Sequence, residues 1–366
     1  MVFCIAPFVN FSTRTDGRIR TCCQADEFKT VHAFDNDIES IWRSEEWEAL
    51  RDRFRAGEWP DQCHRCRRNV ENGVSARIGM ENERWKHLDW QALKENPEIH
   101  IFDLRMGNTC NLKCVMCSPV NSSLWWNEQK LFDHLGDDEV KNRHRYKWAM
   151  DDYLLDEVKQ NLGNLQMLYF SGGEPLLIKK HREIIEECIA QGVADHIKLV
   201  YDTNATMIDE YWIERWSHFK AVQINFSIDG GPEVVEYIRY PVKYDDLIQS
   251  MELLSDSTCD VFLQFSLAAY NIYEVNKIID LKNQYGFRGI NISLVYWPDF
   301  LSAKVLPDHI KQEAKELYAD CEVGRVRDYI NNLELDGSQP GGMKDYFEKI
   351  DLSRGLNYKE VFKWLT

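Results

Sequence analysis

From residue 97 to about residue 300, short apolar runs alternate with longer amphipathic segments. Six of the apolar runs predict strands: "IHIFDLRMG" (99–107), "QMLYFSGG" (166–173), "IKLVYDTN" (197–204), "AVQINFSID" (221–229), "DVFLQFSLA" (260–268) and "INISLVYW" (290–297). Because a helix-length segment follows most of these runs, the pattern predicts repeated strand–helix units around a parallel sheet. In such architectures chemistry gathers at the C-terminal ends of the strands.

Six units are two short of a closed eightfold barrel, so the predicted fold class is α/β with a partial (β/α)6 TIM-type barrel at residues 97–300. A small α+β domain is predicted at 1–78, a connecting helix at 79–96 and a helical C-terminal extension at 301–366. Within the small domain, Asp16-Gly17 is a turn signal between two short strands. The resulting hairpin would return Cys22 and Cys23 toward the Cys4 segment, and residues 37–57 resemble a helix.

The composition limits the kinds of partner. Hydrophobic residues make up 44% of 366 residues, and no apolar run approaches the roughly 18 residues of a membrane span, so a soluble globular protein without membrane contact is expected. No export signal is evident at the N-terminus, which makes the cytoplasm the expected compartment. A formal net charge of −16 disfavours a nucleic-acid partner, although one local basic groove would be compatible with it.

Eleven cysteines in a reducing compartment point to metal binding or catalysis more than to disulfides. Cys188 lies on the apolar face of a helical segment that Gly192 would cap, which predicts a structural role. Cys259 and Cys321 receive the same interpretation.

The stretch "CNLKCVMC" places Cys110, Cys114 and Cys117 directly after the first predicted strand of the barrel. A disulfide would leave one thiol over and suits the compartment poorly. A structural zinc site is normally closed by four ligands, and no fourth cysteine or histidine lies nearby. An iron–sulfur cluster held by three thiolates would keep one iron open for another ligand, which is the most economical interpretation.

The spacing C-x3-C-x2-C at this position resembles the defining motif of the radical S-adenosylmethionine (radical SAM) superfamily. The resemblance implies that Cys110, Cys114 and Cys117 hold a [4Fe-4S] cluster whose open iron chelates S-adenosylmethionine (SAM). It also implies that an electron from a low-potential donor such as a flavodoxin or ferredoxin cleaves SAM. The products would be methionine and a 5'-deoxyadenosyl radical that abstracts hydrogen from a substrate, and the cofactor would supply this chemistry.

Motifs at the following strand ends resemble the cofactor-binding positions of the same superfamily, although each alone would also suit a turn, a cap or a surface role. "SGGEP" resembles its glycine-rich motif, "DTNA" its turn near the cofactor ribose, and "FSIDG" its ribose or carboxylate contacts. An arginine in "YIRY" resembles its carboxylate-binding arginine, and a methionine replaces the more usual aromatic residue near the adenine. The residues implied are Met116, Ser171, Gly172, Gly173, Glu174, Pro175, Thr203, Asn204, Ser227, Asp229 and Arg239.

The early cysteines form a second group. The pair in "CHRC" is a common zinc-ribbon element. Together with "GRIRTCC", however, it resembles the SPASM or twitch domains of the superfamily, here placed before the barrel. That resemblance implies an auxiliary [4Fe-4S] cluster held by Cys4, Cys22, Cys63 and Cys66, with Cys23 as a possible substitute and zinc as the alternative. A closed cluster of this kind would pass electrons or order one wall of the active site.

These features favour a radical SAM enzyme of oxidoreductase, transferase or isomerase type that modifies a peptide or protein side chain. Radical modification or rearrangement of a nucleotide or other small metabolite is the alternative. A non-catalytic iron–sulfur or zinc protein for electron transfer or interaction is disfavoured, because "SGGEP" and "FSIDG" would then have no role. Gln264, Tyr296 and Trp297 are candidate substrate contacts, and packing in the core is an equally good interpretation of the two aromatic residues.

Overall fold

A computed structural model of the chain describes residues 2–33, 37–131, 141–150 and 152–365. Its strands are β1 (Asn10–Thr13), β2 (Ile19–Arg20), β3 (Ile101–Arg105), β4 (Met167–Ser171), β5 (Lys198–Thr203), β6 (Ala221–Ser227), β7 (Asp260–Leu267) and β8 (Gly289–Leu294). They form one sheet in the order β2-β1-β3-β4-β5-β6-β7-β8. In the described residues the sheet is open, since its order begins at β2 and ends at β8.

Helices occupy most of the segments between the strands. They are α1 (Ala6–Val9), α2 (Ile38–Trp42), α3 (Glu45–Arg55), α4 (His64–Glu71), α5 (Arg77–Arg84), α6 (Trp90–Glu95), α7 (Asp152–Gln160), α8 (Lys179–Ala190), α9 (Glu210–Trp216), α10 (Pro232–Ile238), α11 (Tyr244–Ser255), α12 (Val275–Gln284), α13 (Asp308–Leu317), α14 (Gly324–Asn331), α15 (Gly341–Arg354) and α16 (Tyr358–Val361). Short 3-10 helices lie at Asp61–Cys63, Ser123–Leu131, Arg143–Met150, Pro175–Leu177, Ala194–His196, Asp299–Leu301, Ala303–Val305 and Lys363–Leu365. Among the described residues, no helix combines the length and apolar character needed to cross a bilayer.

The predicted fold class is confirmed: the sheet is mostly parallel, open and followed by a helical tail. The six predicted barrel strands correspond to β3–β8. The predicted hairpin is also present, because β1 and β2 pair antiparallel around a turn in which Gly17 has φ +80°. β1 additionally pairs in parallel with β3, which extends the sheet by two strands beyond the predicted six.

Two predicted helices are interrupted. The segment 37–57 contains α2 and α3, separated at Ser44, whose side chain accepts a hydrogen bond from the Trp47 amide (3.4 Å). Serine favours this N-cap position because its oxygen satisfies an amide that has no partner within the helix. The segment 79–96 likewise contains most of α5 and all of α6, and Asp89 caps α6 by accepting from the Gln91 and Ala92 amides.

The chain divides into two compact units, each drawn from several segments. The first comprises Met1–Thr109, Asp137–Tyr201 and Arg215–Val222. The second comprises Cys110–Gly136, Asp202–Glu214 and Gln223–Thr366. The linear division at 1–78, 79–96, 97–300 and 301–366 stays a prediction.

Candidate functional site

The loop after β3 brings three thiols together in the second unit. Cys110, Cys114 and Cys117 are all half-buried. Burial raises the pKa of the Cys117 thiol, and the neighbouring Cys114 and Cys110 raise it further. Such mutual electrostatic effects require short distances between the sulfurs. Cys110 and Cys114 are therefore neighbours of Cys117 in the folded loop, and their role as ligands stays a prediction.

Backbone hydrogen bonds fix this loop to the last residue of α10 and to the segment that follows it. The Val115 amide donates to the Ile238 carbonyl (2.8 Å), and the Lys113 amide donates to the Tyr240 carbonyl (2.6 Å). The indole Nε1 of the fully buried Trp125 donates to the Cys114 carbonyl (3.2 Å). The positions of the thiols are thus set by main-chain contacts on both sides.

A buried ion pair lies beside Cys114. Arg239 Nη2 is 2.6 Å from Asp229 Oδ2, and Arg239 Nη1 is 4.0 Å from Cys114 Sγ. Burial alone would lower the pKa of Arg239, but Asp229 and then Cys114 raise it, so the guanidinium remains charged. Asp229 Oδ1 accepts a hydrogen bond from the Ser266 amide (2.7 Å). Arg239 Nε has no hydrogen-bond partner among the described residues and is the donor left for another group.

The motif after β5 lies next to the first cysteine of the loop. Asn204 Nδ2 donates to Asn111 Oδ1 (2.8 Å) and lies 3.8 Å from Cys110 Sγ. Asn111 in turn donates to Thr206 Oγ1 (2.8 Å). The structure therefore joins the predicted Asn204 to Cys110, and it adds Asn111 and Thr206, which sequence reasoning missed. The position of Asn111 directly after Cys110 was the available signal.

A charged network behind the loop was also missed. Glu128 forms ion pairs with Lys113 and with Arg354, which lies at the end of α15 3.1 Å from the carboxylate. The Arg354 side chain is fully buried and stacks over the Trp125 ring at 4.4 Å. No sequence motif marks these residues, and the contact of Arg354 with Glu128 joins positions 226 residues apart.

The other predicted site residues of the second unit differ in burial and contacts. Met116 and Ser227 are half-buried, and Thr203 is buried with its hydroxyl accepting from the Ala205 amide (2.9 Å). Gln264 donates from Nε2 to Ser293 Oγ (2.9 Å). The candidate substrate contacts Tyr296 and Trp297 are 55% and 58% exposed, so neither packs in the core.

The glycine-rich motif belongs to the first unit and needs its glycines for close approach. Gly172 and Gly173 have φ of +83° and +56°. A Cβ on Gly173 would lie 2.2 Å from the Thr109 carbonyl oxygen. This distance is too short for any side chain, so only glycine fits here. Glu174 is fully buried, donates its amide to that same oxygen (2.7 Å), and accepts from the Leu176 amide (3.1 Å) at the start of the 3-10 helix Pro175–Leu177.

Four of the early thiols belong to the first unit and are buried there. Cys4, Cys22, Cys63 and Cys66 are each 7–8% exposed. Burial raises the pKa of Cys22 to about 12 and raises those of Cys4 and Cys63, and Cys22 adds to both of the latter. Cys22 therefore lies near Cys4 and Cys63. Cys23 is half-buried.

The two sets of thiols can be compared with the ligand sets of known metal groups. Each set consists of thiols, three in one and four in the other, and thiolates are the usual ligands of iron–sulfur clusters. Burial disfavours bare thiolates at both places, so a bound cationic group would be required to hold them ionised. Within the described part of the chain, no three or more His, Cys, Asp or Glu side chains form a group that could hold a metal ion. By residue type and burial the two sets suit iron–sulfur clusters, but the side chains as placed do not form a complete ligand group.

Polar side chains also cover one face of β1–β4, which sequence reasoning missed. Ser12 and Asp103 lie opposite each other in the β1–β3 register, and Ser12 pairs with Arg20 in the hairpin. Burial lowers the pKa of Arg20, and Arg105 lowers it further while Asp103 opposes. The alternation of polar residues in "VNFSTR" was the available signal.

Comparison with known protein families gives two matches. The sequence pattern of the Radical SAM superfamily matches residues 104–281. That of SPASM, an iron–sulfur cluster-binding domain, matches residues 4–67. No curated protein matches the chain significantly.

Several solved structures resemble parts of the chain. Native anSMEcpe with bound AdoMet shows 19% sequence identity and a TM-score of 0.41, and the alignment covers 60% of this chain and 59% of that chain. Streptococcus suis SuiB bound to S-adenosylmethionine shows 12% identity and a TM-score of 0.40, with 82% and 65% coverage. SuiB bound to the precursor peptide SuiA shows 10% identity and a TM-score of 0.39, with 89% and 71% coverage.

Proposed function

Because the chain belongs to the radical SAM superfamily and carries a SPASM cluster-binding domain before its barrel, we propose that it is a SAM-cleaving enzyme that modifies a peptide or protein side chain. Its cofactors are SAM and [4Fe-4S] clusters. When bound, these groups supply an electron and a 5'-deoxyadenosyl radical that abstracts hydrogen from the substrate. The observation that carries the proposal is the group of three thiols in one loop, held by main-chain hydrogen bonds beside a buried arginine.

The roles of the residues follow from their surroundings. Cys110, Cys114 and Cys117 would ligate the open cluster, and Arg239, kept charged by Asp229, would stabilise negative charge near Cys114. Asn204 would donate toward the Cys110 side of the site. In the first unit, Gly172 and Gly173 would admit the cofactor close to the backbone, and Ser171, Glu174 and Pro175 would form the surrounding turn.

The remaining cofactor roles concern the adenine and the ribose. Met116 would pack on the adenine, and Thr203 and Ser227 would face the ribose. Cys4, Cys22, Cys63 and Cys66 would close the auxiliary cluster, which would pass electrons or order a wall of the site.

Two features support a polypeptide substrate. The SPASM match extends the family resemblance, since many radical SAM proteins with such domains act on peptides. Beyond the end of β8, Tyr296 and Trp297 offer exposed aromatic surface of the kind enriched where proteins bind polypeptides. Gln264 remains a candidate contact on β7. A flavodoxin or ferredoxin is proposed as electron donor.

The chemistry is tested on anaerobically reconstituted protein with a low-potential reductant. Cys117→Ala should abolish formation of 5'-deoxyadenosine from SAM, because the cluster would lose one of its three thiolates. Cys259→Ser serves as the control, since Cys259 lies in the turn before β7 outside both thiol groups, and it should retain product formation. Undiminished 5'-deoxyadenosine from Cys117→Ala would refute the assignment of the loop.

The substrate class is tested by adding fractionated host extract and measuring acceleration of 5'-deoxyadenosine formation. Each active fraction is assayed before and after protease digestion. Loss of acceleration on digestion is expected for a polypeptide substrate. Acceleration that survives digestion and elutes with small molecules would instead assign the alternative, a nucleotide or other metabolite.

A further inference from the structure

The registers of β1–β4 place five polar side chains on one face of the sheet. Ser12 pairs with Arg20 across the hairpin and with Asp103 across the parallel β1–β3 ladder. Arg105, two residues beyond Asp103, pairs with Ser171 at the end of β4. Because side chains alternate between faces, all five point the same way.

This polar face is not a solvated one. Ser12, Asp103, Arg20 and Ser171 are 0%, 2%, 4% and 5% exposed. The opposite face of the same strands is apolar, with the Phe11 ring against Phe102 and Trp47 at 5.6 and 5.7 Å. Inward-facing positions of barrel sheets are usually filled by bulky apolar side chains. Arginine, aspartate and serine at these positions therefore call for a functional explanation.

Several donors on the polar face have no partner within the described parts of the chain. Arg20 donates only from Nη1, to the Cys23 carbonyl (3.1 Å), while its buried Nε and Nη2 have none. The buried Nε of Arg105 and Oγ of Ser171 are likewise without a hydrogen bond. Asp103 Oδ2 accepts from Ser12 Oγ (3.0 Å), and the buried Asp103 Oδ1 also has no hydrogen bond there. Buried polar atoms are rarely left unpaired, and the donors without a partner outnumber this one carboxylate oxygen, so they indicate a missing acceptor.

The arginines make this face positively charged, which favours an anion as the missing acceptor. The guanidinium groups of Arg20 and Arg105 share this face with one carboxylate, that of Asp103, so the positive charges outnumber the negative one among these three side chains. The other nearby arginines are already paired, Arg14 with Glu27 and Arg77 with Glu81 (2.6 Å). A buried positive charge without a partner is costly, and a bound anion would remove that cost.

We propose that Arg20, Arg105 and Ser171 form a binding site for a carboxylate of the substrate. The assignment of that carboxylate to the substrate rests on the proposed function. An arginine fork matches a planar carboxylate through two parallel hydrogen bonds, and the serine hydroxyl adds a third donor. For a polypeptide, the carboxylate is an acidic side chain or the C-terminus.

The glycine-rich motif adjoins this site. A Cβ on Gly172 would lie 3.0 Å from the Arg105 Cβ and 2.9 Å from the Thr15 Cγ2, so Arg105 packs directly on Gly172. A carboxylate held by Arg105 would thus lie close to the turn assigned to the cofactor. This placement makes the carboxylate an anchor for the substrate near the reacting group.

The test uses the full-length reconstituted protein and three probes at equal ionic strength: N-acetylglutamate amide, N-acetylglycine and N-acetylglutamine amide. The first carries only a side-chain carboxylate, the second only a terminal one, and the third none. Melting temperature and calorimetric affinity are measured. At least one carboxylate probe should bind and raise the melting temperature, and the neutral amide should do neither. Which carboxylate binds distinguishes an acidic side chain from a C-terminus.

Arg20→Gln should weaken binding of the carboxylate probe roughly 10- to 100-fold, because a charge-assisted hydrogen bond is lost. Arg20→Lys keeps the positive charge but lacks the planar guanidinium. Its affinity for the carboxylate probe should lie between those of the unaltered protein and Arg20→Gln. Arg53→Gln, at an exposed arginine of α3 paired with Glu58, is the control and should bind as the unaltered protein does. Cluster absorbance and circular dichroism of each variant establish that it is folded.

Three outcomes would overturn the proposal. The first is equal behaviour of the carboxylate and amide probes with the unaltered protein. The second is unchanged probe affinity in folded Arg20→Gln combined with a shifted potential of the auxiliary cluster, which would make Arg20 a counter-charge for that cluster. The third is an equal loss of affinity for SAM, which would assign the arginines to the cofactor. None of these readouts depends on SAM cleavage, so failure of the proposed function is detected separately, by the absence of 5'-deoxyadenosine.

Discussion

Cys22 and Cys23 are adjacent in sequence but differ in their surroundings. Cys22 is buried and acts electrostatically on the thiols of Cys4 and Cys63. Cys23 is half-buried, and its thiol acts on Arg20 and on Cys22, while both thiols act on Arg77. The sequence could not separate them, since two consecutive cysteines have nearly the same spacing from every other ligand. Their different neighbours support Cys22 as the ligand of the auxiliary cluster.

Replacing each of the two thiols tests that assignment. Reconstituted protein should contain about eight irons per chain if both sites hold four-iron clusters. Cys22→Ser should lower the count to about four, whereas Cys23→Ser should leave it near eight. Iron, acid-labile sulfide and zinc are measured together. The opposite pattern would make Cys23 the ligand, and about four irons with one zinc in the unaltered protein would favour the zinc alternative.

Single residues of the site were predictable where they belong to a local sequence motif. Residues that only the fold brings together were not. The proximity of Cys110 and Cys114 to Cys117 follows from their local spacing. The ion pair of Asp229 with Arg239 was not foreseen as a pair, because it depends on how β6 and α10 pack. Arg20 was not predicted, because nothing near it in the sequence indicates that its side chain is buried.

At the scale of elements, α8 shows how burial alters one titratable group. His181 is fully buried, its Nε2 lies 2.8 Å from the Tyr201 hydroxyl, and its ring meets Phe170 edge-on at 4.5 Å. Burial lowers the pKa of His181 to about 3. The histidine is therefore neutral in the folded protein at any pH near neutrality.

The pKa of His181 makes stability depend on pH in one direction. The unfolded chain binds a proton at this histidine below about pH 6.5, and the folded chain does so only near pH 3, so acidification favours unfolding. This group alone should reduce the free energy of unfolding by about 2 kcal/mol between pH 7 and pH 5. Chemical denaturation at both pH values measures the loss, which His181→Gln should remove.

The matched control for this prediction is His196→Gln, at an exposed histidine beside Asp195. It should show the same loss between pH 7 and pH 5 as the unaltered protein. An unchanged loss in His181→Gln would mean that other groups account for the acid sensitivity.

Elements set by local sequence were predicted well, and those set by distant contacts were not. The β1–β2 hairpin follows from Asp16-Gly17, because a turn needs only adjacent residues. The parallel pairing of β1 with β3 joins residues 91 positions apart and leaves no local signal. Ser44 is a sequence signal for the break between α2 and α3. The break was not predicted, because the apolar pattern continues across it.

At the scale of the whole molecule, the segment that matches the SPASM domain contributes to the main sheet. β1 lies within residues 4–67 and pairs over three residues with β3, which runs into residues 104–281. Phe11 and Phe102 share this contact, and Ser12 donates to Asp103 across it. The first compact unit accordingly includes all of Met1–Thr109.

A chain that begins at residue 97 should therefore fail to fold stably, although it retains all six predicted barrel strands. Its β3 would become an unpaired edge, and Phe102, which is fully buried, would lose the cover of Phe11. Size-exclusion chromatography and denaturant unfolding of this fragment, beside the full chain, measure the effect. A soluble monomer with a cooperative transition as steep as that of the full chain would contradict the prediction.

The shared β1–β3 ladder has a consequence for exchange of modules between related chains. A foreign N-terminal domain would have to bring its own thiols and also a strand that enters the sheet beside Ile101 in the native register. A slip of one residue would turn Ser12 and Arg20 to the opposite face and direct Phe11 into the polar one. Recombination at residue 78 is therefore restricted to donors whose first strand carries the same alternation of polar and apolar residues.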